Sequence, residues 1–326
     1  MTAWLRAISP DLLPTHIKAE DPRLASIVQV LPAAQSADDL HDSLSELNTG
    51  FAILGYPDDE GIRLNGGRLG AAEAPQEIRR ALYKMTPSCV NSDTPTLYEL
   101  GDLNVEGATL PERHARAEKL IHTALHNGHR TLSFGGGHDY GFPDAVALVR
   151  WAKSKNLRPL VINFDAHLDV RPVESTFHSG TPFRRLLEAE PDTEFIEIGL
   201  QAHCNSRAHR AWLESVGGRV VFEEDRRARR ESLLASLHRL LGENLPSRRP
   251  TFLSIDIDAF SSAYAPGASA SWPTGFEPED FFPCLEWCLA RLDVRGLGIY
   301  EVSPRLDLDA RTSKLAAVIA HRFLSR

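Results

Sequence analysis

The sequence predicts an α/β protein of three layers, α/β/α, with helices on both faces of a mainly parallel sheet of about eight strands. Three observations predict it. Short runs rich in Val, Ile, Leu and Phe recur along the 326 residues. Amphipathic stretches with helical spacing separate most of them. Within the runs the apolar residues are continuous rather than alternating, the pattern of strands covered on both faces.

The first strand is read at Phe51 to Gly55, followed by a helix from Pro75 to Tyr83 and a strand from Thr96 to Leu100. A helix from Glu112 to His126 leads to the strand Arg130 to Phe134, and a helix from Asp144 to Lys153 to the strand Pro159 to Phe164. The strand Glu194 to Leu200, the helix Ala208 to Val216 and the strand Arg219 to Glu223 come next. The chain closes with the helix Ser232 to Leu241, strand Thr251 to Ile255, helix Glu279 to Arg291, strand Gly296 to Tyr300 and helix Arg311 to Leu324. Residues 1–45 carry Pro, Asp and Ser without such a pattern, and are read as an N-terminal extension with some surface helix. Residues 46–326 are then one domain, since the length suits one large core better than two average ones.

The formal net charge is −8, which argues against nucleic acid as the main partner. The cluster Arg226 to Arg230 is the exception, and it reads as a solvated helix start. No stretch suits a membrane span, and the N-terminus lacks the order of a secretory signal, so a soluble cytoplasmic protein is expected. Cys89, Cys204, Cys284 and Cys288 are too scattered for a disulfide framework. The last two, one helical turn apart in an apolar run, read as core thiols.

Chemistry concentrates where predicted strands end. Asp165-Ala166-His167-Leu168-Asp169 follows the run ending at Phe164, and Ser254-Ile255-Asp256-Ile257-Asp258 closes another. If these segments stay extended, alternate side chains share a face, so Asp165, His167 and Asp169 converge, as do Asp256 and Asp258. Buried carboxylates without partners are costly, so a cation must balance them. Two divalent ions would neutralise four carboxylates, and oxygen-rich ligation with some imidazole suits manganese better than zinc, with magnesium and iron as alternatives. A third segment, Gly135-Gly136-Gly137-His138-Asp139, is read as a sharp turn exposing His138 at a strand end. A fourth strand ends in Glu301-Val302-Ser303-Pro304 on the same rim, where ligands of parallel sheets bind.

On these motifs the chain resembles the ureohydrolase superfamily of arginase, agmatinase and formimidoylglutamase over residues 50–322. Gly136-Gly137-His138, Asp165 to Asp169 and Ser254 to Asp258 match its metal motifs. Gly55-Tyr56-Pro57, Gly66 to Ala71 and Ala74-Pro75 are similar to its substrate-side loop. The resemblance implies an arginase-like fold, a trimer or hexamer, and two manganese ions per subunit. It gives one ion to His138, Asp165, Asp169 and Asp256, and the other to Asp165, His167, Asp256 and Asp258, with Asp165 and Asp256 bridging. Gly135 to Asp139, Ala259 to Gly267, Ser179 to Arg184 and Glu301 to Arg305 resemble the formimidoylglutamase branch.

The implied reaction is hydrolysis of a linear amidine C–N bond, N-formimidoyl-L-glutamate plus water giving L-glutamate and formamide in histidine degradation. An agmatinase or another guanidino ureohydrolase is the alternative, and a metal-binding protein without turnover is the rival of another class. Asp169 is expected to orient the attacking water and His178 to carry a proton to the leaving amine. Glu301 is expected to bind the cationic amidinium. The substrate's carboxylates call for Arg, and Arg171, Arg184 and Arg305 are candidates. Asn205 and Gln201 are further candidates for hydrogen bonds to substrate. Against these stand plain readings: a surface loop histidine, a structural Glu, surface arginines.

Overall fold

The computed structural model describes residues 3–13, 20–87, 95–242 and 249–326, so the Cys89 position lies outside it. Among the described residues, ten strands form one sheet. They are β1 (Leu5–Arg6), β2 (Val28–Val30), β3 (Phe51–Gly55), β4 (Leu97–Leu103), β5 (Arg130–Phe134), β6 (Leu160–Phe164), β7 (Glu194–Leu200), β8 (Arg219–Phe222), β9 (Pro250–Asp256) and β10 (Asp293–Tyr300). Their order is β1-β4-β3-β5-β10-β9-β6-β7-β8, with β2 also paired to β4. Only β1 runs antiparallel to its neighbour.

All eight expected strands form, differing at their ends by a few residues. β1 and β2 are additions. At two and three residues they are too short for any hydrophobic pattern, and pairing with the edge of β4 is what makes them strands. The seven expected helices also form. Ala37–Ser45 is the helix anticipated before residue 46, with Ser36 Oγ accepting from Asp39 N at its start. Pro182–Ala189 was not anticipated; Pro182 starts it, and Phe183, Leu186 and Leu187 bury its inner face.

Side chains along each strand alternate between two apolar layers, as a sheet covered twice requires. Ile53, Leu132, Ile162 and Leu253 face one core; Leu54, Val161, Phe195 and Phe252 face the other. Cys284 and Cys288 are free and buried in the first core, as read from the sequence. The basic cluster needs correction. It lies at the end of the helix Glu223–Ala228, not at a helix start, and Arg226 is buried against Glu223 and Asp280 rather than solvated. A guanidinium with two carboxylates in reach can be buried because its charge is met.

One feature of the order positions the site. β5, β10, β9 and β6 are adjacent at the centre of the sheet. Their carboxyl ends lead into Gly135 to Asp139, Glu301, Asp256 to Asp258 and Asp165 to Asp169. Four segments scattered along the chain are therefore side by side.

Candidate metal centre

Each ligand-type side chain is set by a turn rather than by continued strand. After β6 the backbone bends, His167 N donates to Asp165 Oδ1 at 2.6 Å, and Asp169 adopts a left-handed conformation with φ 48°. After β9 a short 3-10 turn, Ile257–Ala259, begins with Asp258 N donating to Asp256 Oδ1 at 2.9 Å. Alternation along an extended segment was thus the wrong reason for a convergence that does occur. Glu301 is left-handed too, with φ 62°. Such backbone costs about 1 to 3 kcal/mol at a non-glycine residue and persists only where the surroundings enforce it.

The glycine turn after β5 brings His138 inward instead of exposing it. A Cβ on Gly136 would stand 1.7 Å from Asp58 O, so only glycine allows this close approach. His138 is fully buried, stacked near Tyr300 and edge-on to Phe183. Its Nε2 lies 2.8 Å from Ser254 Oγ, and its backbone N donates to Glu301 Oε1 at 2.9 Å.

The remaining ring nitrogen decides what the site can hold. His138 Nδ1 stands 3.1 Å from Asp165 Oδ2, 3.0 Å from Asp169 Oδ2 and 3.1 Å from Asp256 Oδ2, yet is buried without a hydrogen bond. Atoms each about 2.2 Å from one octahedral ion stand about 3.1 Å apart, so these separations fit the edges of a coordination shell. A second group comprises Asp165, His167 and Asp258, with His167 Nδ1 3.4 Å from Asp165 Oδ1 and 3.2 Å from Asp258 Oδ2. Asp165 belongs to both groups. Asp256 belongs by distance to the first alone, one of its oxygens being engaged with Asp258 N.

Among the described residues, no Lys or Arg pairs with any of these four aspartates. The charges of the cluster act on one another. Burial, then the Asp165 charge, pushes Asp169 up to about 6; burial, then Asp258 and Asp165, pushes Asp256 well up. Burial opposes charge on His138 and His167, but the facing carboxylates prevail and raise both. Those two imidazoles in turn bring Asp165 below the usual range despite its burial. Oxygen-rich donors with imidazole, closely spaced and lacking a protein cation, suit two hard divalent ions.

The cluster floors an open cleft of about 850 Å³. Glu301 lines it, its carboxyl pushed by burial up to about 8. His178 also lines it, half-buried, with Nδ1 accepting from Gly180 N at 3.1 Å. That contact favours the tautomer with the proton on Nε2. Burial, then Arg171, lowers the His178 pKa. Arg171 is on the exposed wall, donating to Asn65 Oδ1 at 2.7 Å, with no ion pair among the described residues.

Of the other sequence candidates, Asn205 lines the cleft, whereas Arg184, Arg305 and Gln201 do not. Arg184 stacks on Trp212 at 3.7 Å and pairs with Glu188, and Arg305 pairs with Glu73; neither lines the cleft. Gln201 bonds to Thr274, while Asn205 accepts from Leu168 N and donates to Ala166 O and Gln201 O. Asn205 thus fixes the loop after β6, and Gln201 ties the end of β7 to Thr274 in the loop after β9. The sequence reading placed Arg68 in the substrate-side loop without singling it out, and missed His209; both are at the cleft. Arg68 donates to Ala268 O and Ser269 O, and its place in the Gly66-Gly67-Arg68 turn was the available signal. His209 sits in a surface helix where nothing local marks it.

Residues 49–325 match the model of the arginase family. The chain is 32% identical over 297 residues to a formimidoylglutamase of Clostridium tetani, covering 89% of this chain and 86% of the relative. To one of Aeromonas hydrophila it is 33% identical, covering 84% and 86%. The crystal structure of Trypanosoma cruzi formiminoglutamase with Mn2+ superposes with a TM-score of 0.77 at 29% identity, covering 93% of this chain and 97% of that one.

Proposed function

The chain belongs to the arginase family, and from that premise we propose that it is a formimidoylglutamase with a two-manganese centre. It hydrolyses a linear amidine C–N bond: N-formimidoyl-L-glutamate and water give L-glutamate and formamide. The observation that carries this is the pair of ligand groups sharing Asp165 at the floor of the cleft, together with relatives of that activity.

In this reading His138, Asp165, Asp169 and Asp256 would hold one ion, and Asp165, His167 and Asp258 the other; the resemblance adds Asp256 to the second set as a bridge, although its separations place it in the first. When bound, the ions supply Lewis acidity and lower the pKa of water from 15.7 to about 7. Asp169 orients the attacking water as a hydrogen-bond acceptor. Glu301 receives the amidinium, whose positive charge favours the ionised carboxylate despite its burial. In its doubly protonated form His178 would give the Nε2 proton to the leaving nitrogen, with the attacking water supplying the replacement proton. Uptake of a second proton at Nδ1 must displace the Gly180 N–H, so its role as proton carrier includes a small loop adjustment.

Arg171 is the guanidinium for the substrate's carboxylates, since no protein acid neutralises it among the described residues. Arg184, held elsewhere, drops out of the site. Residues 46–326 are assigned as the hydrolase domain, to whose sheet the N-terminal extension adds β1 and β2, and by the resemblance the enzyme is a cytoplasmic homo-oligomer.

A panel of amidines and guanidines assayed with manganese tests the reading. Formamide from formimidoylglutamate is expected, and Arg171→Ala should weaken use of that substrate by about five- to thirtyfold, less than a buried pair would because the side chain is exposed. Urea released from agmatine, with formimidoylglutamate ignored, would replace this function by that of a guanidino ureohydrolase.

A further inference from the structure

Two polar side chains beneath the cluster have no part in the chemistry above. Asn163 on β6 and Glu197 on β7 are register partners, and both are fully buried. Asn163 Nδ2 donates to Glu197 Oε1 at 2.9 Å and to Asp165 Oδ2 at 3.2 Å. The other oxygen of each, Asn163 Oδ1 and Glu197 Oε2, is buried with no hydrogen-bond partner.

An ionised Glu197 would add another carboxylate charge below four aspartates and leave two buried acceptors unmet. One proton on Glu197 Oε2 would remove the charge and supply a donor for Asn163 Oδ1. The acid O–H is a donor, Asn163 Oδ1 is an acceptor, and the two groups are already joined along their other edge. Burial, then the charge of Asp165, holds the Glu197 carboxyl well above the usual range, in the same direction.

We propose that Asn163 and Glu197 form a neutral amide–acid pair that aims Asn163 Nδ2 at Asp165 and so positions the carboxylate shared by both ligand groups. Asp165 then has one donor per oxygen, His167 N on Oδ1 and Asn163 Nδ2 on Oδ2. Each oxygen keeps a lone pair for its own ligand group. Because the pair is uncharged, two divalent ions still balance the four aspartates. Asn163 and Glu197 are positioning residues, and their role rests on reading the cluster as a metal centre.

The test is manganese titration calorimetry on the full chain for wild type, Glu197→Gln and Asn163→Leu, with infrared spectra of the same samples. Gln preserves a neutral pair, so its manganese affinity should stay within about threefold of wild type, whereas Asn163→Leu should lose about 10- to 100-fold, as outer-shell partners of metal ligands do. The wild-type spectrum should contain a protonated-carboxyl carbonyl band that Glu197→Gln lacks. Asn163→Ala replaces the Leu variant if that one does not fold. Wild-type affinity without the Asn163 amide, a tenfold loss in Glu197→Gln, or no difference in the carbonyl band would overturn the proposal. A wild-type protein that binds no manganese would sink the metal-centre reading instead, and the infrared comparison would still decide whether Glu197 carries its proton.

Discussion

Two buried groups of carboxylates in this molecule are stabilised in opposite ways. Near the edge of the sheet, Arg79 is fully buried and donates to both oxygens of Glu99, each at 2.8 Å, and to Asp102 at 2.6 Å. Tyr83 adds its hydroxyl to Glu99. Burial alone would lower the Arg79 pKa, but Asp102 and Glu99 raise it instead, so this cluster carries its own cation. At the carboxyl rim, Asp165, Asp169, Asp256 and Asp258 have two imidazoles and no Lys or Arg beside them among the described residues. The difference teaches that burial of acids does not by itself mark a metal site; several acids and imidazoles buried together without a protein cation do. A third treatment lies between the two. Asp144 is buried with the hydroxyls of Tyr56 and Tyr300 as donors, and burial pushes its carboxyl up to about 6.

The largest effect should come from breaking the rim cluster. Asp256→Asn should lose most bound manganese and nearly all activity, whereas His178→Asn should keep the metal and lower kcat by about 10² to 10⁴. Elemental analysis and kinetics on both variants separate holding the ions from moving the proton. Two manganese per chain in Asp256→Asn would end its assignment as a bridge, and an unchanged kcat in His178→Asn would leave a surface histidine.

The edge cluster should respond in stability. Arg79→Met strands Glu99 in the interior, and removal of one partner of a buried ion pair typically costs about 3 to 5 kcal/mol. Denaturant midpoints should fall while manganese binding to the folded protein is kept. A loss below about 1 kcal/mol, the worth of an exposed pair, would show that Glu99 escapes its burial some other way.

The smallest effect concerns Asp144. Its pKa is 3.8 as an ordinary aspartate and about 6 here, so the folded protein holds the proton more tightly than the unfolded chain. That contribution to stability is complete below the unfolded value and is lost as the pH rises through the folded one. Asp144→Asn has no proton to lose. Its stability relative to wild type should therefore increase between about pH 4 and about pH 7, as read from urea midpoints. A difference constant with pH would mean that the two tyrosines hold the ionised form after all.

Much of this was legible in the chain. Runs rich in apolar residues located β3 to β10, because strands buried on both faces favour them. The acids and histidines that gather at the site could be named, because each stands where such a run stops. His138 could not be judged buried, since a glycine turn states that the backbone bends without stating which way. Nor could Asp165 and Asp169 be seen to meet through a left-handed turn; strand alternation was the available local rule, and it supplied a wrong reason.

What the sequence determined by itself is therefore local: where strands and helices run, and which residues could bind metal. The tertiary structure decided the rest, because strand order is set by packing between segments distant in sequence. Only the adjacency of β5, β10, β9 and β6 places His138, Glu301, Asp256 and Asp165 around one point. The same holds for Arg184 against Arg171: both are arginines near the same loop, and a neighbouring helix bearing Trp212 takes the first guanidinium away from the cleft while leaving the second on its wall.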